Sequence, residues 1–117
     1  HYYFMVLWFV EFSSNVNASG QRVFDVAING EVFEKAIDIY GRVGPYTTLE
    51  VYSSTEKPLG PYVDKFVIEI YNSSFSDYNP SLAAAEILQL FDNPMNTTTS
   101  SSDGLSPLIQ LIFRTLN

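Results

Sequence analysis

Arg22-Val23-Phe24-Asp25-Val26-Ala27-Ile28-Asn29-Gly30 carries the clearest structural signal in the chain. Alternation puts Phe24, Val26 and Ile28 on one apolar face and Val23, Asp25 and Ala27 on the other, the pattern of a half-buried strand. Asn29-Gly30 follows at once. This dipeptide tolerates the positive φ values of a type I′ turn, and apolar runs flank it, so a hairpin is expected. The return strand takes in Val32 and Phe33.

The same grammar extends both ways. Residues 2–12 are almost continuously apolar, with Glu11 near their end, and read as a strand covered on both faces. Asn15 to Gly20 is a polar break. Ala36 to Tyr40 reads as a short strand with Ile37 and Ile39 on one face, ended by Gly41, Gly44 and Pro45. Tyr46 to Tyr52 is strand-like, and Ser53 to Pro61 is a loop. From Asp64 to Tyr71 the alternation is cleanest, with Phe66, Ile68 and Ile70 facing one way. Asn72 to Pro80 is a polar loop. In Leu82 to Phe91 three alanines favour helix, while length and position favour a closing strand; we read a strand.

Six or seven short strands between turn signals indicate an all-β sandwich or barrel. That number is low for a complete sandwich. The N-terminal strand is therefore expected to lack neighbours, leaving an apolar edge prone to association. Residues 1–91 form the β unit, and 92–104 a Ser/Thr-rich linker. In 105–117, Ser106-Pro107 resembles an N-cap and first helical position. Leu105, Leu108, Ile109, Ile112 and Leu116 recur at the spacing of a short amphipathic helix.

Composition limits the functions available. At 117 residues the chain is one domain, with 46% apolar and 16% charged residues, a globular balance. Thirteen acids against six scattered Lys and Arg give a net charge of −7. That excludes the clustered cations that a nucleic acid or an anionic membrane requires. There is no Cys, hence no disulfide, thiolate metal site or cysteine nucleophile. The single His is His1 at the chain start, so no His-based relay is available. Glu34 with Asp38, and Asp64 with Glu69, read as solvated strand acids. No acidic run has calcium-loop spacing, and no metal or cofactor is expected. Gly41-Arg42-Val43-Gly44 lacks the Lys-Ser or Lys-Thr of a phosphate loop. The opening apolar run is shorter than the ~20 residues of a membrane span and lacks signal-peptide flanks. We expect a piece of a longer product, reaching a membrane only through other parts of that product.

Four motifs fall in order: Phe9-Val10-Glu11; Arg22-Val23-Phe24-Asp25-Val26 through Asn29-Gly30; Asp38-Ile39 through Val43-Gly44; and Ala85-Glu86-Ile87. Together they resemble the second half of the malectin and malectin-like family. The resemblance implies an incomplete, jelly-roll-like antiparallel β-sandwich of the galactose-binding type. It further implies a non-catalytic carbohydrate-binding or ligand-sensing module, carried in plant receptor-like ectodomains or the endomembrane lumen rather than the cytoplasm. Its partners would be a cell-wall or lumenal glycan, or a peptide or co-receptor. The alternative is a structural protein–protein interaction domain that has lost sugar binding. In animal malectin, aromatic residues of the diglucose site follow the first motif; here Ser13 and Ser14 take that place, so that site does not carry over.

A carboxylate in the family's late loop also belongs to that site. Asp77 and Tyr78, in Ser76-Asp77-Tyr78-Asn79-Pro80, are its nearest counterparts. Arg42 is a third candidate, able to fork onto a carboxylate or a sugar hydroxyl. The expected site is the sandwich end formed by the loops around Asn15, Arg42 and Asp77. Glycosylation sequons begin at Asn17, Asn72 and Asn96, all in predicted loops, and favour the secretory path.

Overall fold

A computed structural model describes residues 1–54, 56–63, 65–74, 76–90 and 108–114. Among them the elements run β1 (Tyr2–Val10), β2 (Phe24–Ile28), β3 (Glu31–Ile37), α1 (Ile39–Val43), β4 (Thr48–Tyr52), β5 (Lys65–Asn72), β6 (Ala84–Leu90) and β7 (Leu108–Arg114). One sheet has the order β4-β1-β6 and the other β3-β2-β5-β7. Tyr3, Met5, Leu7 and Phe9 of β1 pack with Phe24, Val26 and Ile28 of β2 and Phe66, Ile68 and Ile70 of β5 in one core cluster. The chain is an all-β sandwich, and its core lies where the period-two pattern placed it.

The β2–β3 hairpin forms as the sequence indicates. Asn29 and Gly30 have φ of 48° and 86°, and Ile28 pairs with Glu31 across the turn. The Asn29 side chain also fastens the turn to β5. Its Oδ1 accepts from Val67 N–H at 2.6 Å, and its Nδ2 donates to the Lys65 carbonyl at 3.0 Å.

Three expectations need correction. First, β1 is central rather than an orphaned edge. It pairs antiparallel with β4 from Val6↔Tyr52 to Val10↔Thr48, and with β6 from Tyr2↔Leu90 to Trp8↔Ala84. Nor is it covered on both faces: Tyr3, Met5, Leu7 and Phe9 are buried, while Phe4, Val6, Trp8 and Val10 are only half-buried. The uniform apolarity of the strand hid this asymmetry.

Second, Ala36 to Tyr40 is not a strand of its own: Ala36 and Ile37 end β3, and Ile39 and Tyr40 begin α1. β3 bulges against β2 and reaches Ala36 at φ 54°. The Ala36 N–H turns to the Asp25 carboxylate at 2.7 Å. Asp38 then caps α1, its Oδ1 accepting from Gly41 N–H at 3.0 Å. Ile37 and Ile39 are both fully buried, so burial repeats every second residue although the backbone changes from strand to helix between them. Gly41 is needed for close approach rather than for a turn, because a Cβ there would meet the Asp38 carboxylate. Gly44, at φ 83°, closes the helix by donating to the Tyr40 carbonyl at 2.9 Å.

Third, the described part of the tail is a strand, not a helix. β7 pairs in parallel with β5 from Lys65↔Leu108 to Tyr71↔Arg114, so the second sheet is mixed rather than antiparallel. Ile109, Ile112 and Phe113 are strand-favouring residues, and the β5 edge supplies the backbone partners that an isolated helical turn would lack. The linker at 92–104, Asn96 and the rest of the tail lie outside the described residues. Leu82 to Phe91 resolves as β6 through Leu90.

Candidate functional site

The loop after β5 is laid along the chain entering β2. The Gln21 carbonyl accepts from the N–H groups of Asp77 at 2.8 Å and Tyr78 at 3.2 Å. Ser76 Oγ accepts from Val23 N–H at 3.0 Å and donates to the Tyr78 carbonyl at 2.7 Å. Tyr78 in turn donates its hydroxyl to the Asn15 carbonyl at 3.4 Å. A hydroxyl-bearing Ser at 76 therefore fixes a loop that its composition marks only as polar.

Beneath this loop lies an ion pair. Arg22 Nε donates to Glu11 Oε1 at 2.7 Å and Nη2 to Oε2 at 3.4 Å. The Glu11 and Arg22 side chains are 2% and 14% exposed. Ser13 N–H adds a third donor to Glu11, at 3.1 Å. The remaining arm of Arg22, Nη1, donates to the Asn79 carbonyl. The guanidinium carbon stands 5.6 Å from the centroid of the Tyr78 ring, within cation–π range. Glu11 thus anchors Arg22, and Arg22 holds the backbone and ring of the late loop.

The helix end joins the same cluster through Asp38, whose Oδ2 accepts from Gly20 N–H at 2.9 Å. The loops around Asn15, Asp77 and α1 therefore meet at one end of the sandwich. Asp77 and Tyr78 sit together there; the Asp77 side chain is exposed, and Tyr78 is half-buried. The Arg42 side chain is engaged by the end of β3. It donates to the carbonyls of Ala36 at 3.1 Å and Lys35 at 3.4 Å, and lies 3.8 Å from the Glu34 carboxylate. Asn17 is an exposed loop residue. Asn72 is the last residue of β5 rather than a loop residue, and its Nδ2 donates to Asn79 Oδ1 at 3.1 Å.

Chemically, this end offers an exposed carboxylate on a backbone held from several sides, beside a partly open phenol ring. Carboxylate oxygens accept from hydroxyl donors, and a ring edge or face packs against apolar C–H surface. Among the described residues no group of three His, Cys, Asp or Glu could hold a metal ion. Glu11 and Arg22 escaped the sequence reading as site residues, although a signal was present: opposite charges end one strand and precede the next, on either side of a single loop.

The sequence model of the malectin domain matches residues 2–88. No curated protein and no solved structure matches the chain. Among the described residues no helix is long and apolar enough to cross a membrane.

Proposed function

The chain belongs to the malectin domain family, and on that basis we propose that it is the glycan-recognising module of a larger receptor-like, secretory-path protein. Malectin domains are carbohydrate-binding modules rather than a known enzyme family, and they are typically lumenal or extracellular. The contact surface is the loop end around Asp77. The observation that supports this is the exposed Asp77 carboxylate on a loop held by Gln21, Ser76 and Arg22. A preset acceptor loses little freedom on binding. Tyr78 supplies ring surface beside it. Arg42, exposed on α1 and loosely paired with Glu34, is an outer contact. Asn17 is the accessible glycosylation site of this end, whereas the Asn72 amide is engaged by Asn79.

The test is a glycan array probed with the folded chain, followed by titration of the best neutral oligosaccharide into Asp77→Asn and Tyr78→Ala. Loss of about tenfold or more in affinity with an unchanged thermal transition supports the reading. Absence of any retained glycan, or unchanged affinity in both variants, overturns it.

A further inference from the structure

The outward face of the three-stranded sheet has no role in the loop site. Pairing register puts Phe4, Val6 and Trp8 of β1 on this face, beside Tyr52 of β4 and Leu88 of β6. The β1 residues are half-buried, while Tyr52 is 63% and Leu88 49% exposed. Contiguous apolar surface on a sheet face is a feature of interaction sites. Its charge is one-sided. Glu50 lies opposite Trp8 and Glu86 opposite Val6, one on each side of β1. No strand position on this face is Lys or Arg. Glu50 also accepts from the Trp8 indole N–H at 2.9 Å, which fixes the ring on the face.

We propose that this face docks a basic amphipathic segment of a partner protein, one that sets apolar side chains over Phe4, Val6 and Trp8 and places cations against Glu50 and Glu86. The charge pattern selects this occupant. Two copies stacked face to face would bring four carboxylates together with no cation between them, which is repulsive. An anionic lipid surface is disfavoured for the same reason. A glycan platform calls for open ring planes, whereas Val6 and Leu88 make this surface resemble a protein core.

Trp8 is the only tryptophan, so its emission reports occupancy of the face directly. The probe is a short synthetic peptide of alternating leucine and lysine. A saturable blue shift of Trp8 emission that weakens as salt rises is expected. Glu50→Gln with Glu86→Gln keeps the acceptor for the indole and should weaken binding roughly tenfold, the loss expected for two exposed ion pairs. Tyr52→Ser with Leu88→Ser, at exposed positions, should weaken it at least as much. Glu31→Gln with Glu56→Gln removes the same charge from exposed positions elsewhere and should change affinity less than twofold. Equal loss in that control pair would show attraction to net charge alone and overturn the proposal. So would an unshifted Trp8, equal binding of a leucine–glutamate peptide, or the same blue shift from a neutral oligosaccharide. Loop-site variants play no part in these readouts, so failure here leaves the glycan reading intact, and the reverse also holds.

Discussion

Replacing Glu11 by Ala should destabilise the domain by about 3 kcal/mol. The carboxylate is 2% exposed and takes three donors: Arg22 Nε at 2.7 Å, Arg22 Nη2 at 3.4 Å and Ser13 N–H at 3.1 Å. Its removal strands a guanidinium that is only 14% exposed. Breaking one side of a buried pair typically costs ~3–5 kcal/mol. The lower end applies because Arg22 keeps the Asn79 carbonyl and the Tyr78 ring as neighbours. Domains of this size have about 5–15 kcal/mol in total, so the variant should still fold. Urea unfolding followed by Trp8 emission is the assay. With a slope of roughly 1.5 kcal/mol/M, the midpoint should fall by about 2 M. Glu11→Met combined with Arg22→Met, which removes both charges, should recover most of the loss. A midpoint shift below about 0.5 M for the single variant would refute the reasoning and make the pair a solvated contact. Failure of the double variant to recover would refute the attribution to a stranded charge.

Tyr3→Phe should stabilise the protein by about 1 kcal/mol, because the Tyr3 hydroxyl is buried and finds no partner among the described residues; a lower urea midpoint would contradict this. Burial raises the pKa of the Tyr3 phenol above its ordinary value, and burial followed by the charge of Glu31 does the same for Tyr62. The folded chain therefore retains protons that the unfolded chain releases. Their contribution to stability is constant below about pH 10 and declines as pH rises above it. Tyr3→Phe with Tyr62→Phe should flatten that decline in alkaline melts. Gly41→Ala should cost about 1–2 kcal/mol, since its Cβ meets the Asp38 carboxylate that caps α1 and holds Gly20; a thermal midpoint within a degree of the parent would show that the cap tolerates the displacement.

What the sequence revealed depended on how local each determinant is. The β2–β3 hairpin was legible because Asn29-Gly30 and the alternation before it act within a few residues. β5 was legible for the same reason, with Phe66, Ile68 and Ile70 all buried. The Asp38 cap was overlooked because Ile37 and Ile39 mimic strand alternation across a strand-to-helix change. β7 was misread because its apolar spacing fits a helix, while its state is set by the exposed edge of β5, far away in the chain. At the proposed site, Asp77 and Tyr78 are candidates through family resemblance alone. Their supports, Gln21, Arg22 and Glu11, lie more than 50 residues earlier in the chain, and no local pattern connects them. Arg42 drew notice as a loop cation, yet its guanidinium serves the carbonyls at the end of β3.

The most direct measurement of the glycan-binding account is a backbone amide NMR titration of the folded chain with the neutral oligosaccharide selected on the array. The account predicts saturable shifts at Asp77 and Tyr78, with smaller ones at Asn15 and Gln21, which bond to that loop, and none at the Asn29-Gly30 turn. Saturable shifts confined to other surfaces, with the Asp77 and Tyr78 amides unmoved, would contradict it.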